Sequence, residues 1–190
     1  MTFVMAPEYS RAARLDPMRR ILAALIMLFV VAVPTAAHAD TSEFTFDSFH
    51  ADYTLGRDAD GTSRLAVVET IVAHFPDFDQ NRGIVRAIPN DYDGVPLNTV
   101  VESVTDATGA PVPFEQNYTG DFVELALGTD AFVRGVQTYV ISYSQTNVVR
   151  YFSDTDDDEF YWDVNGTGWD QPFGEVSMAL HVDPALESAI

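Results

Sequence analysis

The sequence predicts an all-β fold: a two-sheet antiparallel β-sandwich of the Ig-like or Greek-key type, preceded by an N-terminal signal helix. Three observations predict it. Apolar and polar residues alternate along most of the chain, helical periodicity is hard to find, and turns rich in Gly, Asp and Pro separate the alternating runs. The chain contains no cysteine, so we expect its core alone to hold the domain together, without disulfides.

The N-terminal segment is predicted to direct export. Met18-Arg19-Arg20 is a short basic region, Ile21–Val33 is an apolar run, and Ala37-His38-Ala39 supplies the small residues of a cleavage site. A run of this length rises about 20 Å as a helix, whereas the hydrocarbon core of a bilayer is roughly 30 Å thick. A signal peptide cut after Ala39 is therefore favoured over an uncleaved anchor.

Four segments follow from this interpretation. Residues 1–17 do not suit the start of a signal peptide and are interpreted as a non-native or misannotated start, with Met18 as the true one. Residues 18–39 are the signal peptide, residues 40–183 the β-sandwich domain, and residues 184–190 the start of a linker or a truncated end.

The charge of the exported part restricts its partners. From Asp40 onward the chain has 27 acidic residues, six arginines and no lysine, a net charge of −21. Nucleic acids and anionic membrane surfaces carry the same sign, so binding to either is excluded on electrostatic grounds. The charge instead favours solubility and the attraction of cations.

The first two strands are predicted to form a hairpin. Apolar residues alternate over Phe49–Leu55, and the change of phase near Asp47-Ser48 predicts a bulge. Asp58–Gly61 is a turn sequence, and the largely apolar run Arg64–Phe75 follows it. Further strands are predicted at residues 97–105, 112–116, 122–127, 138–144, 159–164 and 175–182.

Three segments, in this order, resemble a known family. They are Asp60-Gly61 with Leu65–Glu69, then Arg82–Pro89, then Tyr139–Tyr143 followed by Phe160–Gly166 and Trp169–Phe173. Together they resemble the amino-terminal region of the bacterial predicted membrane proteins of the DUF2207 family. The resemblance implies an extracytoplasmic, β-rich, membrane-associated domain with no established activity. Such proteins usually continue into transmembrane helices, so it also implies that C-terminal helices are missing here or that this version is released.

The acidic run at residues 154–159 is the candidate metal site. Asp154, Asp156 and Asp158 match the first three ligand positions of an EF-hand loop, but Glu159 stands where that loop requires glycine. An irregular Ca²⁺ site formed by these four residues is one interpretation. A solvated acidic turn before a strand is the other.

The aromatic segment after the acidic run is the candidate ligand site. Trp162 and Trp169, with Asp163 and Asp170, provide the rings and carboxylates of a sugar-binding platform. The alternative is that these rings are core residues closing the sandwich. Arg82 and Arg86 are expected to form structural ion pairs with carboxylates in so acidic a domain.

The sequence supports no catalytic residue. The serines lack a G-x-S-x-G setting, the histidines lack metal-ligand spacing, and thiol chemistry is absent. We therefore expect a non-enzymatic, exported module that acts outside the cell or at the cell envelope without a cofactor, through contacts with an envelope protein or glycan. The alternatives are a Ca²⁺-stabilised adhesin-like domain and a carbohydrate-binding domain. Membrane association would come from the signal segment or from missing C-terminal helices.

Overall fold

The computed structural model describes residues 43–187, which form twelve strands and one short helix. The elements are β1 (Thr45–Arg57), β2 (Ser63–Phe75), β3 (Gly83–Pro89), β4 (Asp91–Tyr92), β5 (Val95–Pro96), β6 (Val100–Thr105), β7 (Phe114–Thr119), β8 (Phe122–Gly128), β9 (Gly135–Thr146), β10 (Arg150–Phe152), β11 (Asp157–Glu159), β12 (Phe173–Val182) and α1 (Pro184–Glu187). The predicted start and signal peptide, residues 1–17 and 18–39, lie outside the described residues.

A five-stranded sheet in the order β12-β1-β2-β9-β6 forms the larger part of the domain. The predicted β1–β2 hairpin is confirmed, and its register shifts between Phe46 and Ser48, where the bulge was predicted. The turn is fixed because the Asp60 carboxylate accepts a hydrogen bond from the Thr62 amide at 3.0 Å. Such Asx contacts compete with the strand ladder and end it.

A second sheet has three strands in the order β3-β8-β7, all antiparallel. Two short ribbons, β4-β5 and β10-β11, complete the strand pairing of the described chain. Buried residues alternate along the long strands of both larger sheets, and they belong to one hydrophobic cluster. Its larger members are Phe46, Phe49, Tyr53, Leu55, Leu65, Ile71, Phe75, Ile84, Ile88, Leu97, Leu125, Leu127, Tyr139, Ile141 and Tyr143.

Three expectations about the strands are corrected. The pairing is not wholly antiparallel, because the last strand, β12, pairs in parallel with β1. The strand predicted at residues 159–164 is wrong: β11 ends at Glu159, and residues 160–172 contain no strand. Gly83–Pro89, noted in the sequence only as part of a family resemblance, is the strand β3.

The described residues also bear on membrane insertion. No helix within residues 43–187 is both long and apolar enough to cross a bilayer. The predicted apolar segment Ile21–Val33 lies outside this range.

Candidate functional site

A buried ion pair connects the two larger sheets. Glu69 occupies an inward-facing position of β2 between Val67 and Ile71, and Arg86 does the same in β3 between Ile84 and Ile88. Both are almost fully buried, at 0% and 3% relative exposure. The Arg86 Nε donates to Glu69 Oε2 at 2.8 Å and Nη2 donates to Oε1 at 2.6 Å, a bidentate geometry.

Tyr143 and Tyr53 complete the surroundings of this pair. The Tyr143 hydroxyl donates a third hydrogen bond to Glu69 Oε1 at 2.8 Å. Burial raises the pKa of both tyrosines above the usual range, and the nearby negative charge of Glu69 raises it further. Burial alone would lower the pKa of Arg86, but the charge and hydrogen bonds of Glu69 raise it, so the guanidinium stays charged.

Arg86 also fixes the irregular segment at residues 160–172. Its Nη1 donates to the carbonyl oxygens of Ala87 at 2.9 Å and Asn165 at 3.2 Å. Its guanidinium carbon lies 5.4 Å from the ring centroid of Trp169 and 5.6 Å from that of Phe49, within the range of cation–π contacts. The expected ion pairing of Arg86 is thus directed into the core.

Arg82 and Arg86 have different partners although they are four residues apart. The Arg82 Nε donates to the carbonyl oxygen of Asp130 at 2.9 Å, and the guanidinium lies 4.5 Å from the centroid of the Phe132 ring. Arg82 therefore attaches the start of β3 to the loop after β8 by a backbone contact rather than a carboxylate pair.

The two tryptophans have mainly structural contacts. The Trp169 ring packs edge-on against Phe46 and Phe173, and its Nε1 donates to the Asn165 carbonyl at 2.6 Å. The Trp162 ring stacks on Phe160 with centroids 5.9 Å apart. Both are partly buried and pack against the core. These contacts agree with the core-closing interpretation of the aromatic segment.

A cleft of about 780 Å³ lies beside Trp169. We call it the Trp169 cleft. It is lined by residues 80–85, 126–130 and 168–171, together with Phe44, Phe46 and Glu115. Trp169 and Asp170 of the predicted ligand site line it, as does Arg82, whereas Trp162 and Asp163 do not. Gln80 is 8% exposed, and its Oε1 is buried with no hydrogen-bond partner among residues 43–187.

The predicted metal-binding run lies at another position, the β10–β11 turn. Asp156 has a left-handed backbone (φ 60°), and its carboxylate accepts a hydrogen bond from the Tyr151 hydroxyl at 2.7 Å. Glu159 accepts one from Thr155 at 3.2 Å. Asp156, Asp158 and Glu159 line a second cleft of about 1180 Å³, whereas Asp154 does not. Within residues 43–187, no three His, Asp or Glu side chains are grouped so as to hold a metal ion.

Two features were not identified from the sequence. The first is Glu69 as the buried partner of Arg86, whose signal was a charged residue at an inward position of an alternating apolar strand. The second is a polar group on the outer face of the β1–β12 pair. There His50 lies 2.9 Å from Ser177 Oγ and 3.4 Å from the Asp52 carboxylate, and His181 lies 3.7 Å from the same carboxylate. These side chains are exposed and line neither cleft.

Comparisons with solved structures give weak similarities. Leukotriene A4 hydrolase from Saccharomyces cerevisiae has 11% identity and a TM-score of 0.37, with 53% of this chain and 15% of that chain covered. A two-domain M1 zinc metallopeptidase variant bound to L-tryptophan has 11% identity and a TM-score of 0.35, covering 54% and 20%. A putative protease from Parabacteroides distasonis has 12% identity and a TM-score of 0.26, covering 59% and 24%.

This chain thus spans less than a quarter of the length of each of these proteins. No curated protein sequence matches it. The family described as "Predicted membrane protein (DUF2207) N-terminal domain" matches residues 45–189, which includes the Glu69–Arg86 pair and every residue that lines the Trp169 cleft except Phe44. The chain therefore belongs to the DUF2207 family of predicted membrane proteins, as its N-terminal domain.

Proposed function

We propose that this domain is a non-enzymatic β-sandwich module on the extracytoplasmic side of the cell envelope, which binds another envelope protein through the Trp169 cleft. The export signal in the sequence and membership of a predicted membrane protein family support this placement. The shared core of the five-stranded and three-stranded sheets supports the sandwich.

The observation that carries the proposal is the mixed lining of the cleft, which combines opposite charges, polar side chains and apolar surface. Gln80 is one of its lining residues, although the Oε1 atom is itself buried. Arg82 offers a cation, and Asp170 and Glu115 offer carboxylates. Phe44 and Ile84 add apolar surface. An extended peptide segment, with amide donors and mixed side chains, matches this combination.

A photo-crosslinking experiment tests the proposal. A photoreactive amino acid replaces Asp170 in the cleft or, as the control, Asp106 in the exposed loop after β6, and the crosslinked species are identified after irradiation of intact cells. We expect a defined protein adduct from position 170 and none from position 106. Gln80→Leu and Arg82→Glu should each reduce the amount of this adduct. Equal labelling from both positions, or an adduct unaffected by either change, would contradict a peptide-binding cleft.

Carbohydrate binding is a second candidate, because Trp169 and Asp170 both line the cleft. Calorimetric titration with envelope glycans distinguishes carbohydrate binding from peptide binding. A glycan that binds wild type and is lost in Asp170→Ala and Gln80→Leu would favour this function. Trp169→Ala is not informative, since Trp169 packs on Phe46, Phe173 and Arg86 and its loss would disturb the fold.

A further inference from the structure

Strand β12 is an edge of the five-stranded sheet within the described residues. It pairs with β1 on one side, and the other side of its backbone has no hydrogen-bond partner among residues 43–187. Edge strands usually carry charges, prolines or bulges that prevent pairing with other chains. The central stretch Val176–Leu180 has no charge, no proline and no register shift.

A row of exposed apolar side chains follows this edge. Val176, Met178 and Leu180 are 44%, 42% and 41% exposed. Their partners in β1 are Phe49, Ala51 and Tyr53, all of which are buried in the core. Because directly paired residues project from the same face of a sheet, the row lies on the core-facing side of β12. The residues that bury its partners in β1 do not extend over the row, which is therefore exposed.

The strand is complementary to itself in the antiparallel direction. If two copies of β12 pair about a two-fold axis at Met178, Met178 meets Met178 and Val176 meets Leu180 of the second copy. The same register places Ser177 opposite Ala179, and Glu175 opposite His181. A carboxylate acceptor then faces an imidazole N–H donor at both ends of the pairing.

We propose that two copies of this chain associate by antiparallel pairing of β12 with β12, with a two-fold axis at Met178. The pairing joins the two five-stranded sheets into one continuous sheet and covers both apolar rows. It also satisfies the open backbone groups of both edges. The interface is isologous, so it closes at the dimer and does not propagate into a filament.

The net charge of the chain opposes this association and gives it a signature. The exported part of each chain, from Asp40 onward, carries a net charge of −21, so two copies repel each other at long range. Salt screens this repulsion, with a Debye length of about 8 Å at 0.15 M and about 3 Å at 1 M. The interface itself is apolar and charge-matched. We therefore expect the dimer to be stronger at 1 M NaCl than at 0.15 M, the reverse of an association driven by ion pairs.

Sedimentation equilibrium of the exported protein tests the proposal. Met178→Glu places two carboxylates face to face on the axis, and we expect it to weaken the dimer by at least tenfold. Val85→Glu is the matched control, since Val85 is 57% exposed on the edge strand β3 of the other sheet and should leave the dimer intact. A protein that is monomeric at both salt concentrations, or a dimer that persists in Met178→Glu, would overturn the proposal.

Two further variants test the register. The chain has no cysteine, so Met178→Cys introduces a single thiol that the axis places beside its own copy. We expect disulfide-linked dimers from Met178→Cys and none from Val85→Cys under the same oxidation. Glu175→His and His181→Glu should each weaken the dimer, while the double exchange restores it. Crosslinking only to a different protein would assign the edge to another partner and contradict self-pairing. Circular dichroism confirms that each variant is folded.

Discussion

At the scale of single residues, the pair of Glu69 and Arg86 dominates the interior of this domain. A carboxylate transferred into an apolar core costs several kcal/mol even after relaxation, and only full pairing offsets that cost. Two hydrogen bonds from Arg86 and one from Tyr143 provide the pairing. Because Glu69 lies in one sheet and Arg86 in the other, only one relative placement of the sheets satisfies both.

Removal of one partner should therefore be far more harmful than removal of both. We expect Arg86→Met to lower the free energy of unfolding by about 3–5 kcal/mol, because it leaves a buried carboxylate unpaired. The double variant Glu69→Met/Arg86→Met should lose much less. Urea unfolding measures both. Arg134→Met is the control, since its pair with Asp79 is half exposed and contributes at most about 1 kcal/mol. A double variant as unstable as the single one would disprove this account.

The buried tyrosines predict loss of stability in alkali. Burial raises the pKa of Tyr139 to about 12, whereas tyrosine in an unfolded chain ionises near pH 10. Above that pH the unfolded state holds fewer protons than the folded state. The free energy of unfolding then falls as pH rises, by up to about 1.4 kcal/mol per pH unit for this tyrosine, until the folded pKa is passed.

Urea midpoints measured between about pH 9 and pH 12 check this expectation. Tyr139→Phe should make the decline shallower, while Tyr118→Phe, at a position 67% exposed, should leave it unchanged. An identical decline in all three proteins would show that Tyr139 does not carry the effect.

At the scale of the strands, the β3–β8 pair depends on two glycines. Gly83 and Gly128 are register partners with φ of 138° and 136°. A Cβ on Gly83 would collide with the carbonyl oxygen of Leu127, and one on Gly128 with that of Arg82. The two backbones cross here too closely for any other residue. This close crossing explains why the segment Arg82–Pro89, which resembles the family, has a glycine at position 83.

We expect Gly83→Ala to destabilise the domain by about 3 kcal/mol or more, through strain and backbone displacement. Gly109→Ala is the control. Gly109 also has a positive φ, 85°, but no atom lies within 4 Å of the point that a Cβ would occupy there, so the cost should be only about 1–2 kcal/mol. Thermal unfolding compares the two, and equal losses would contradict the close crossing.

The β10–β11 turn gives a prediction about calcium. Asp156 is held by Tyr151, and the described residues contain no group of three metal ligands. We therefore expect Ca²⁺ and Mg²⁺ at equal concentration to raise the melting temperature equally, by general screening of the acidic surface. A rise in melting temperature with Ca²⁺ alone would instead support the adhesin-like alternative. At a hundredfold excess over Kd, such binding adds about 2.7 kcal/mol to the free energy of unfolding.

Local patterns predicted those elements whose partners are near in sequence. The alternation of apolar residues in β1 and β2, with the turn at Asp58–Gly61, was sufficient to predict the hairpin. The change of phase near Asp47-Ser48 was sufficient to predict its bulge. Residues 160–164 alternate in the same way, so pattern alone predicted a strand, but the rings of Phe160 and Trp162 pack on the core and the segment joins no ladder. The parallel pairing of β12 with β1 brings together residues 127 positions apart, as in His50 and Ser177, and no local pattern carries such information.

At the scale of the whole molecule, charge and family were accessible from the sequence, and the family is confirmed. The export signal stays a prediction. The Trp169 cleft was not accessible from the sequence, because it is assembled from five separate parts of the chain. All four residues predicted for ligand binding lie in the irregular segment at residues 160–172. Only Trp169 and Asp170, which are adjacent in sequence, line this cleft, whereas Trp162 and Asp163 do not.

The parallel pairing of the first and last strands has a mechanical consequence. The chain enters β1 at one end of the ladder and leaves β12 at the other. A force that stretches the domain from its two ends therefore acts along the strands and must shear nine register pairs together, from Phe46–Phe173 to Leu55–Val182. In an antiparallel arrangement the same pull would open the pairs one after another. Load applied along this axis is thus shared across the ladder, which resists extension.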